Sequence, residues 1–124
     1  INSWMNEWRE DTVLERLGVE PGDLHRSIDI SDWLLYCLEE LSKLFRRREL
    51  IGEIEFLRKR VVNGVKEELV ELTRLQGIGR VRARSLYSSG IKTVREVREA
   101  TVDRLSQIEK IGPATARKIK EQTA

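Results

Sequence analysis

The residues best placed for chemistry form one stretch, in which two glycines flank an isoleucine and three arginines follow at every second position: Gly77-Ile78-Gly79-Arg80-Val81-Arg82-Ala83-Arg84. Glycines tolerate positive φ and let another backbone come close. The residues that follow have the pattern of a helix start, whose unpaired N–H groups and positive dipole end favour an anion, above all a phosphate. No lysine followed by threonine or serine comes after the glycines, so the stretch is not a nucleotide-binding P-loop.

A helix-hairpin-helix, which holds the backbone of DNA, is the alternative, and an internal repeat supports it. Two units, at about 65–89 and 102–122, share residue classes at matched positions: Leu75, Gly77, Ile78, Gly79, Ala83 and Leu86 against Ile108, Lys110, Ile111, Gly112, Ala116 and Ile119. The predicted helices run over 66–75 and 80–87, end near 108 and begin at 113, with a connector at 93–99. Repetition at this many positions is hard to obtain by chance and predicts a tandem helix-hairpin-helix domain.

The second turn departs from the first at Lys110, which stands at the position of Gly77. If that position needs positive φ, lysine there carries a strain on the order of 1 kcal/mol. Pro113 removes an N–H from the next helix start, although proline suits a first helical turn. The second hairpin is therefore expected either to bind DNA less well or to serve mainly to complete the small core.

The arginines of the first turn do not all share one helix face. Arg80 and Arg84 lie one turn apart, whereas Arg82 points elsewhere, so one of the three is a candidate for a contact between domains. The candidate DNA-binding residues of the two turns are Gly77, Ile78, Gly79, Arg80, Arg82, Arg84, Lys110 and Gly112. Contacts of this kind supply affinity with little regard for sequence and weaken as salt rises.

Composition limits the other possibilities. The net charge of +2 divides into −3 over residues 1–63 and +5 over residues 64–124, which suits either a polyanion partner or a solvated helical surface. Charged residues make up 35% and only two prolines occur, as expected for long helices. The single cysteine, Cys37, excludes an internal disulfide, and it lies in an apolar run typical of a buried position. The single histidine, His25, has no clustered partners for a metal site or a triad, and no apolar run approaches a membrane span.

Helical spacing organises the first half of the chain. Ile1, Trp4, Met5 and Trp8 form a stripe interpreted as core. A short helix over 13–17 is predicted, with a capping box of Thr12 and Glu15 and a stop at Gly18. Pro21-Gly22-Asp23 opens a long helix, which no proline or glycine interrupts from residue 24 to about 45. A further helix over 48–62 ends at a boundary near residue 63. The face of the long helix predicted to be buried is Leu34, Leu35, Leu38, Leu41, Leu44 and Phe45.

The first part of the long helix carries a second candidate site. Arg26 and Trp33 lie seven residues, or two turns, apart and share a face with Asp29 and Ile30. An arginine and a tryptophan aligned in this way can each stack on a base of a single strand. The other interpretation of the same spacing places Trp33 in the core and Arg26 in solvent.

Three runs carry a resemblance to one family: residues 21–36, which begin Pro21-Gly22-Asp23-Leu24, residues 62–69 and residues 78–87. The chain resembles the C-terminal part of archaeal Ski2-like superfamily 2 DNA repair helicases, relatives of the helicase portion of DNA polymerase theta. The resemblance implies an all-α fold: a partial helical bundle, the "ratchet" domain, over residues 1–63 and a tandem helix-hairpin-helix domain over residues 64–124.

The resemblance also implies roles. Arg26 and Trp33 match an arginine and a tryptophan that stack on the translocating strand, which favours stacking over core packing. The run 78–84 matches one thought to touch the exiting strand and to couple or brake the motor. The family unwinds forks in the 3′ to 5′ direction with ATP and Mg²⁺, but none of the motor motifs is present here. The chain itself is thus expected to need no cofactor and to act as a cytoplasmic, nucleoid-associated monomer with DNA, the motor domains and fork proteins as partners.

Two other function classes are compatible with tandem hairpins. A structure-specific repair nuclease uses such a tail for DNA, and it would place paired carboxylates for metal upstream. The nearest candidates here, Asp29 with Asp32 and Glu39 with Glu40, have the pattern of ordinary polar faces. A protein-interaction module, in which the hairpins dock on another domain, is the other alternative, and Lys110 favours it for part of the surface.

Overall fold

A computed structural model describes all 124 residues, which form eight α-helices, two short 3₁₀ helices and no strand. The helices are α1 (Asn2–Met5), α2 (Glu10–Leu17), α3 (Pro21–Leu44), α4 (Glu49–Asn63), α5 (Arg80–Ser88), α6 (Val94–Glu99), α7 (Val102–Ser106) and α8 (Pro113–Thr123), and the 3₁₀ helices are Glu67–Leu69 and Leu72–Arg74. The chain divides into an N-terminal unit, Ile1–Lys66, and a C-terminal unit, Glu67–Ala124. The predicted all-α class is confirmed, and no helix is both long and apolar enough to cross a membrane.

In the N-terminal unit the start of α2 lies earlier than predicted, whereas the start of α3 lies where the sequence places it. The helix predicted over 13–17 begins at Glu10, with Arg9 as its N-cap, so the capping box assigned to Thr12 was wrong. The long helix begins at Pro21 because Glu20 and Asp23 form a reciprocal capping box around a proline in the first turn. The Asp23 carboxylate accepts the Glu20 N–H at 3.3 Å.

Trp4 organises the core of the N-terminal unit. Its indole packs with a buried apolar cluster of Val13, Leu24, Ile28 and Val61. The indole N–H donates to the Val61 carbonyl at 2.8 Å, which satisfies the one polar group of the ring. The core interpretation of the first stripe therefore holds for Trp4, whereas Ile1 and Trp8 lie at its edge, each 36% exposed.

The buried face of α3 was predicted wrongly except at Leu35, which is half-buried against the core. α4 packs along the side of α3 that carries Leu24 and Ile28, and on that side even Glu39 and Ser42 are buried. The side chains of Leu34, Leu38, Leu41, Leu44 and Phe45 are exposed instead. Helical spacing marks an apolar face but not whether a neighbour covers it. We call Ile30, Leu34, Leu38, Leu41 and Phe45 the apolar stripe of α3; all five are exposed in this chain.

The first helix of the C-terminal unit is not the α-helix predicted over 66–75. The segment forms two 3₁₀ helices, Glu67–Leu69 and Leu72–Arg74. Leu69, Val70, Leu72 and Leu75 are all buried, and at about 100° per residue a single α-helix would spread them over more than half of its circumference, which is wider than an amphipathic face. The segment with the two 3₁₀ helices buries all four.

The remaining helices of the C-terminal unit follow in the predicted order, and α6 and α7 each begin at a threonine N-cap. Thr93 starts α6 and Thr101 starts α7, and each hydroxyl accepts the N–H three residues on, from Glu96 and Arg104, at 3.1 Å. α7 ends at Ser106, two residues before the predicted end near 108. The apolar positions matched by the repeat are all buried and form the centre of the core: Leu75, Ile78, Ala83, Leu86, Ile108, Ile111, Ala116 and Ile119.

Candidate nucleic-acid interface

The two hairpin turns have the same backbone structure, as the repeat predicts. In the first, the Ile78 N–H donates to the Leu75 carbonyl at 3.1 Å; in the second, the Ile111 N–H donates to Ile108 at 3.0 Å. Gly79 and Gly112 are the extended N-caps of α5 and α8, at φ −93° and −84°. Each turn buries its isoleucine as an anchor and leaves the flanking residues exposed at a helix N-terminus. That end of a helix carries the partial positive charge that attracts phosphate.

The turn position that held glycine in the first unit does require positive φ. Gly77 adopts φ +88° and Lys110, its counterpart, adopts φ +70°. The strain expected at Lys110 is therefore present, since a non-glycine side chain in this region crowds its own carbonyl. Gly77 has open space around it: an added Cβ would meet nothing closer than Lys118 Nζ at 4.0 Å.

Replacing Lys110 with glycine is expected to stabilise the protein by about 0.5–1 kcal/mol, because relief of left-handed strain outweighs the extra chain entropy of glycine in the unfolded state. Urea denaturation measures the change. Lys66, an exposed loop lysine with ordinary φ, provides the control, and Lys66→Gly should destabilise the chain instead. Equal losses in the two variants would contradict the strain at Lys110.

The three arginines that follow the first turn have different partners. Arg84 donates to the Glu68 carboxylate at 3.0 Å and its guanidinium lies 5.3 Å from the centre of the Tyr87 ring. Arg80 is half-buried at the start of α5. Arg82 donates from Nη1 to the Gly77 carbonyl at 2.8 Å and from Nε to the Lys110 carbonyl at 3.1 Å. Arg82 thus touches both turns within one unit, a contact that helical spacing did not predict.

On α3 the second candidate site is exposed. Trp33 is 62% exposed and the Arg26 side chain 71% exposed, so the core interpretation of Trp33 does not hold in this chain. The two lie about 10 Å apart along the helix axis on one side, given a rise of about 1.5 Å per residue. Arg26 makes one long contact, 3.4 Å to Asp23 on the same exposed surface. The arrangement leaves an aromatic face and a guanidinium open to solvent.

Two families match this chain. The family described as archaeal helicase, domain 4, matches residues 1–64, and the family described as SAM-like helix-hairpin-helix tandem matches residues 69–124. The first match covers more than half of the 124 residues. This chain belongs to the archaeal helicase domain 4 family.

Three relatives that are similar to this chain are named ATP-dependent DNA helicase Hel308. The protein of Pyrococcus abyssi is 41% identical over 113 residues, which are 90% of this chain and 16% of the relative. That of Thermococcus kodakarensis is 43% identical over 110 residues, 88% of this chain and 10% of the relative. That of Pyrobaculum calidifontis is 39% identical over 123 residues, 98% and 17%. The resemblance to the C-terminal part of archaeal DNA repair helicases is confirmed, and the chain spans about a sixth or less of these relatives' length.

The N-terminal unit also contains an ion-pair network that the sequence did not reveal. Arg58 on α4 donates to Asp32 at 2.8 Å and to Glu39 at 3.0 Å, both on α3. The hydrogen bond to Asp32 raises the pKa of the Arg58 guanidinium above its ordinary value, which keeps the cation in place. The Glu39 side chain is only 7% exposed, so Arg58 supplies the charge that its burial needs.

A second contact missed from sequence lies in the helix-hairpin-helix tandem. The Gln122 side chain of α8 accepts the Gln76 N–H at 2.8 Å and donates to the Gln76 carbonyl at 2.9 Å. It holds the residue that leads into the first turn. A glutamine near a chain end carries no sequence signal for this role, whereas Arg82 at least lay within a motif.

Proposed function

We propose that this chain is the non-catalytic, DNA-holding part of an ATP-dependent DNA helicase. The observation that carries the proposal is the pair of equivalent hairpin turns, each ending at the N-terminus of a helix in a half of the chain with net charge +5. Backbone N–H groups at helix starts bind phosphate oxygens without reading bases. The substrate class is single-stranded or forked DNA, held with little sequence preference.

The exposed pair on α3 supports a second contact with the same kind of ligand. Trp33 offers a face on which an unstacked base can lie, and Arg26 offers a guanidinium for stacking or for phosphate. Both need bases that are free of a duplex. The residues proposed to bind DNA therefore separate into a backbone group on the hairpins and a base-stacking group on α3.

The remainder of the proposal concerns the longer protein. ATP and Mg²⁺ belong to motor domains whose motifs this chain does not contain, so we propose no ATP hydrolysis by the chain itself. The apolar stripe of α3 supports a place in a larger polypeptide, since exposed contiguous apolar patches usually mark contact surfaces. There the hairpins would couple or brake translocation on repair and fork DNA.

Two observations bear on the other function classes. Of the carboxylates available for a nuclease metal site, Asp32 and Glu39 are held by Arg58, and no group of three or more acidic, histidine or cysteine side chains is arranged for a metal. A hairpin domain that docks only on protein would show no salt-dependent affinity for DNA. The experiment below separates that alternative from the proposal.

The isolated chain is expected to bind fluorescein-labelled oligo-dT and a labelled forked duplex, with affinity that falls steeply with salt. Neutralising three or four phosphates should weaken binding by about 30-fold between roughly 50 and 200 mM NaCl. Fluorescence anisotropy measures both constants. Two oligonucleotides of different sequence but equal length should bind alike. No binding at the lower salt concentration would refute the proposed function for this chain.

A further inference from the structure

The two hairpin turns are held to each other by side chains that cross between them. Arg82 of α5 reaches from the first turn to the Lys110 carbonyl of the second while it also holds the Gly77 carbonyl of its own turn. Gln122 of α8, the helix that starts from the second turn, reaches back to the backbone of Gln76 before the first. Each turn is thus held by a side chain from the other half of the repeat.

We propose that Arg82 and Gln122 are positioning residues. They hold the two turns in a fixed relative position, so that both turns bind one DNA backbone at the same time. The inference rests on the proposed function and adds a role that neither residue's position in the motif indicates. Arg82 acts through its contacts to the two carbonyls rather than as a phosphate ligand. Gln122 acts without any charge.

The geometry of the donors supports this assignment. The two bonds of Arg82, at 2.8 and 3.1 Å, use Nη1 and Nε, which point in different directions from one planar group. A lysine keeps the charge but has a single nitrogen, so it cannot reproduce both bonds. The Gln122 amide forms a donor and acceptor pair with one residue, which fixes the position of the chain entering the first turn.

Rigid coupling of two weak binding sites raises their joint affinity. When one turn is bound, the other is already placed at the next phosphates, so the second turn binds at high effective concentration. Without the coupling each turn can still bind alone, but fewer phosphates are neutralised at once. The measurable consequence is a lower affinity together with a shallower dependence on salt.

The test compares Arg82→Lys, Gln122→Ala and a matched control, Arg98→Lys. Arg98 donates from Nε to the carbonyl of Thr123, the residue after Gln122, at 2.8 Å, so this variant changes an arginine bond at the same end of α8 without touching the backbone of either turn. Arg82→Lys and Gln122→Ala should each bind labelled oligo-dT about 10-fold more weakly than the wild type at low salt. The slope of log affinity against log salt should fall by about 0.7 for each phosphate that the variant no longer neutralises. The control should match the wild type in both quantities.

The outcomes separate this inference from the proposed function. If the wild type binds and Gln122→Ala keeps its affinity and slope, the bracing role is wrong and the proposed function stands. If Arg82→Lys alone binds normally, its charge is what matters, and the positioning role is again wrong. If the wild type does not bind at all, both fail.

Hydrogen exchange of the free protein provides a readout that does not depend on DNA. In Gln122→Ala the Gln76 amide loses its acceptor and should exchange faster, and in both variants the hydrogen-bonded turn amides of Ile78 and Ile111 should exchange faster, whereas the core amide of Leu86 should not change. Unchanged exchange at the turns would overturn the bracing. A general loss of protection across the unit would also overturn it, because the two residues would then support the fold rather than the turns.

Discussion

Gly64→Ala is expected to destabilise the protein by about 2–4 kcal/mol, the largest effect among the glycines of this chain, because only here would an added Cβ lie within 3 Å of another atom. Gly64 ends α4 in the left-handed region, at φ +66°. A Cβ there would lie 2.4 Å from a ring atom of Trp4, which is buried in the centre of the N-terminal core. The ring cannot shift freely, because its N–H is bonded to the Val61 carbonyl on the same turn of chain. Urea denaturation followed by tryptophan fluorescence measures the loss.

Gly18→Ala is the matched control for this prediction. Gly18 ends α2 with nearly the same backbone, at φ +63°, but nothing lies within 4 Å of its Cβ position. Its substitution should cost only the conformational strain, about 1 kcal/mol. Trp4→Phe combined with Gly64→Ala should show a cost well below the sum of the two single changes, because the smaller ring removes the clash. Equal losses at the two glycines would mean that Trp4 does not oppose the methyl group.

The C-terminal hairpins were predictable because their requirements are local and occur twice. A turn that needs positive φ, a buried isoleucine and a small residue packed under the helix leaves a pattern in the sequence, and two copies make it specific. The departure at Lys110 was also visible in the sequence. Lysine stands there in place of glycine, and the second turn has the same positive-φ conformation as the first, with φ +70° at Lys110. The repeat therefore predicted the backbone conformation of the turns as well as the fold.

Features that depend on distant partners were not predictable. The apolar spacing of α3 was real, but α4 covers the neighbouring face, so the expected core side chains Leu34 and Leu41 are exposed. The segment before the first turn buries side chains on more than one side, and it does so with two 3₁₀ helices, which helix propensity alone does not indicate. Arg58 pairs with carboxylates on another helix, 26 and 19 residues away in sequence. In each case the deciding contact is absent from the local pattern.

The same distinction, between local backbone requirements and contacts to distant partners, separates the residues predicted to bind DNA into two groups. Gly77 and Gly79 were selected for backbone geometry, and the first has the positive φ that this requires. Arg82 and Arg84 were selected for charge, and both have partners within the unit, at Lys110 and Glu68. Charge counted along a helix therefore overstates the number of side chains available to phosphate.

Trp33→Ala is expected to weaken binding to oligo-dT by about 10-fold, since stacking of one base on an aromatic side chain contributes roughly 1–3 kcal/mol. The slope of affinity against salt should not change, because no charge is removed. Stability should change by less than about 0.5 kcal/mol, because the ring is 62% exposed. Anisotropy titrations at two salt concentrations and a urea curve give all three quantities.

Phe45→Ala is the control, because Phe45 follows α3 directly, is 74% exposed and lies about 120° around the helix axis from Trp33. It removes an exposed aromatic ring of the same unit and should leave DNA affinity unchanged. Trp33→Phe should recover part of the loss, since a smaller ring still offers a face to a base. Binding by Trp33→Ala at wild-type strength would contradict base stacking. Equal weakening in Phe45→Ala would trace the effect to exposed apolar surface in general, whereas an effect confined to Trp33 assigns it to a position two helical turns from Arg26.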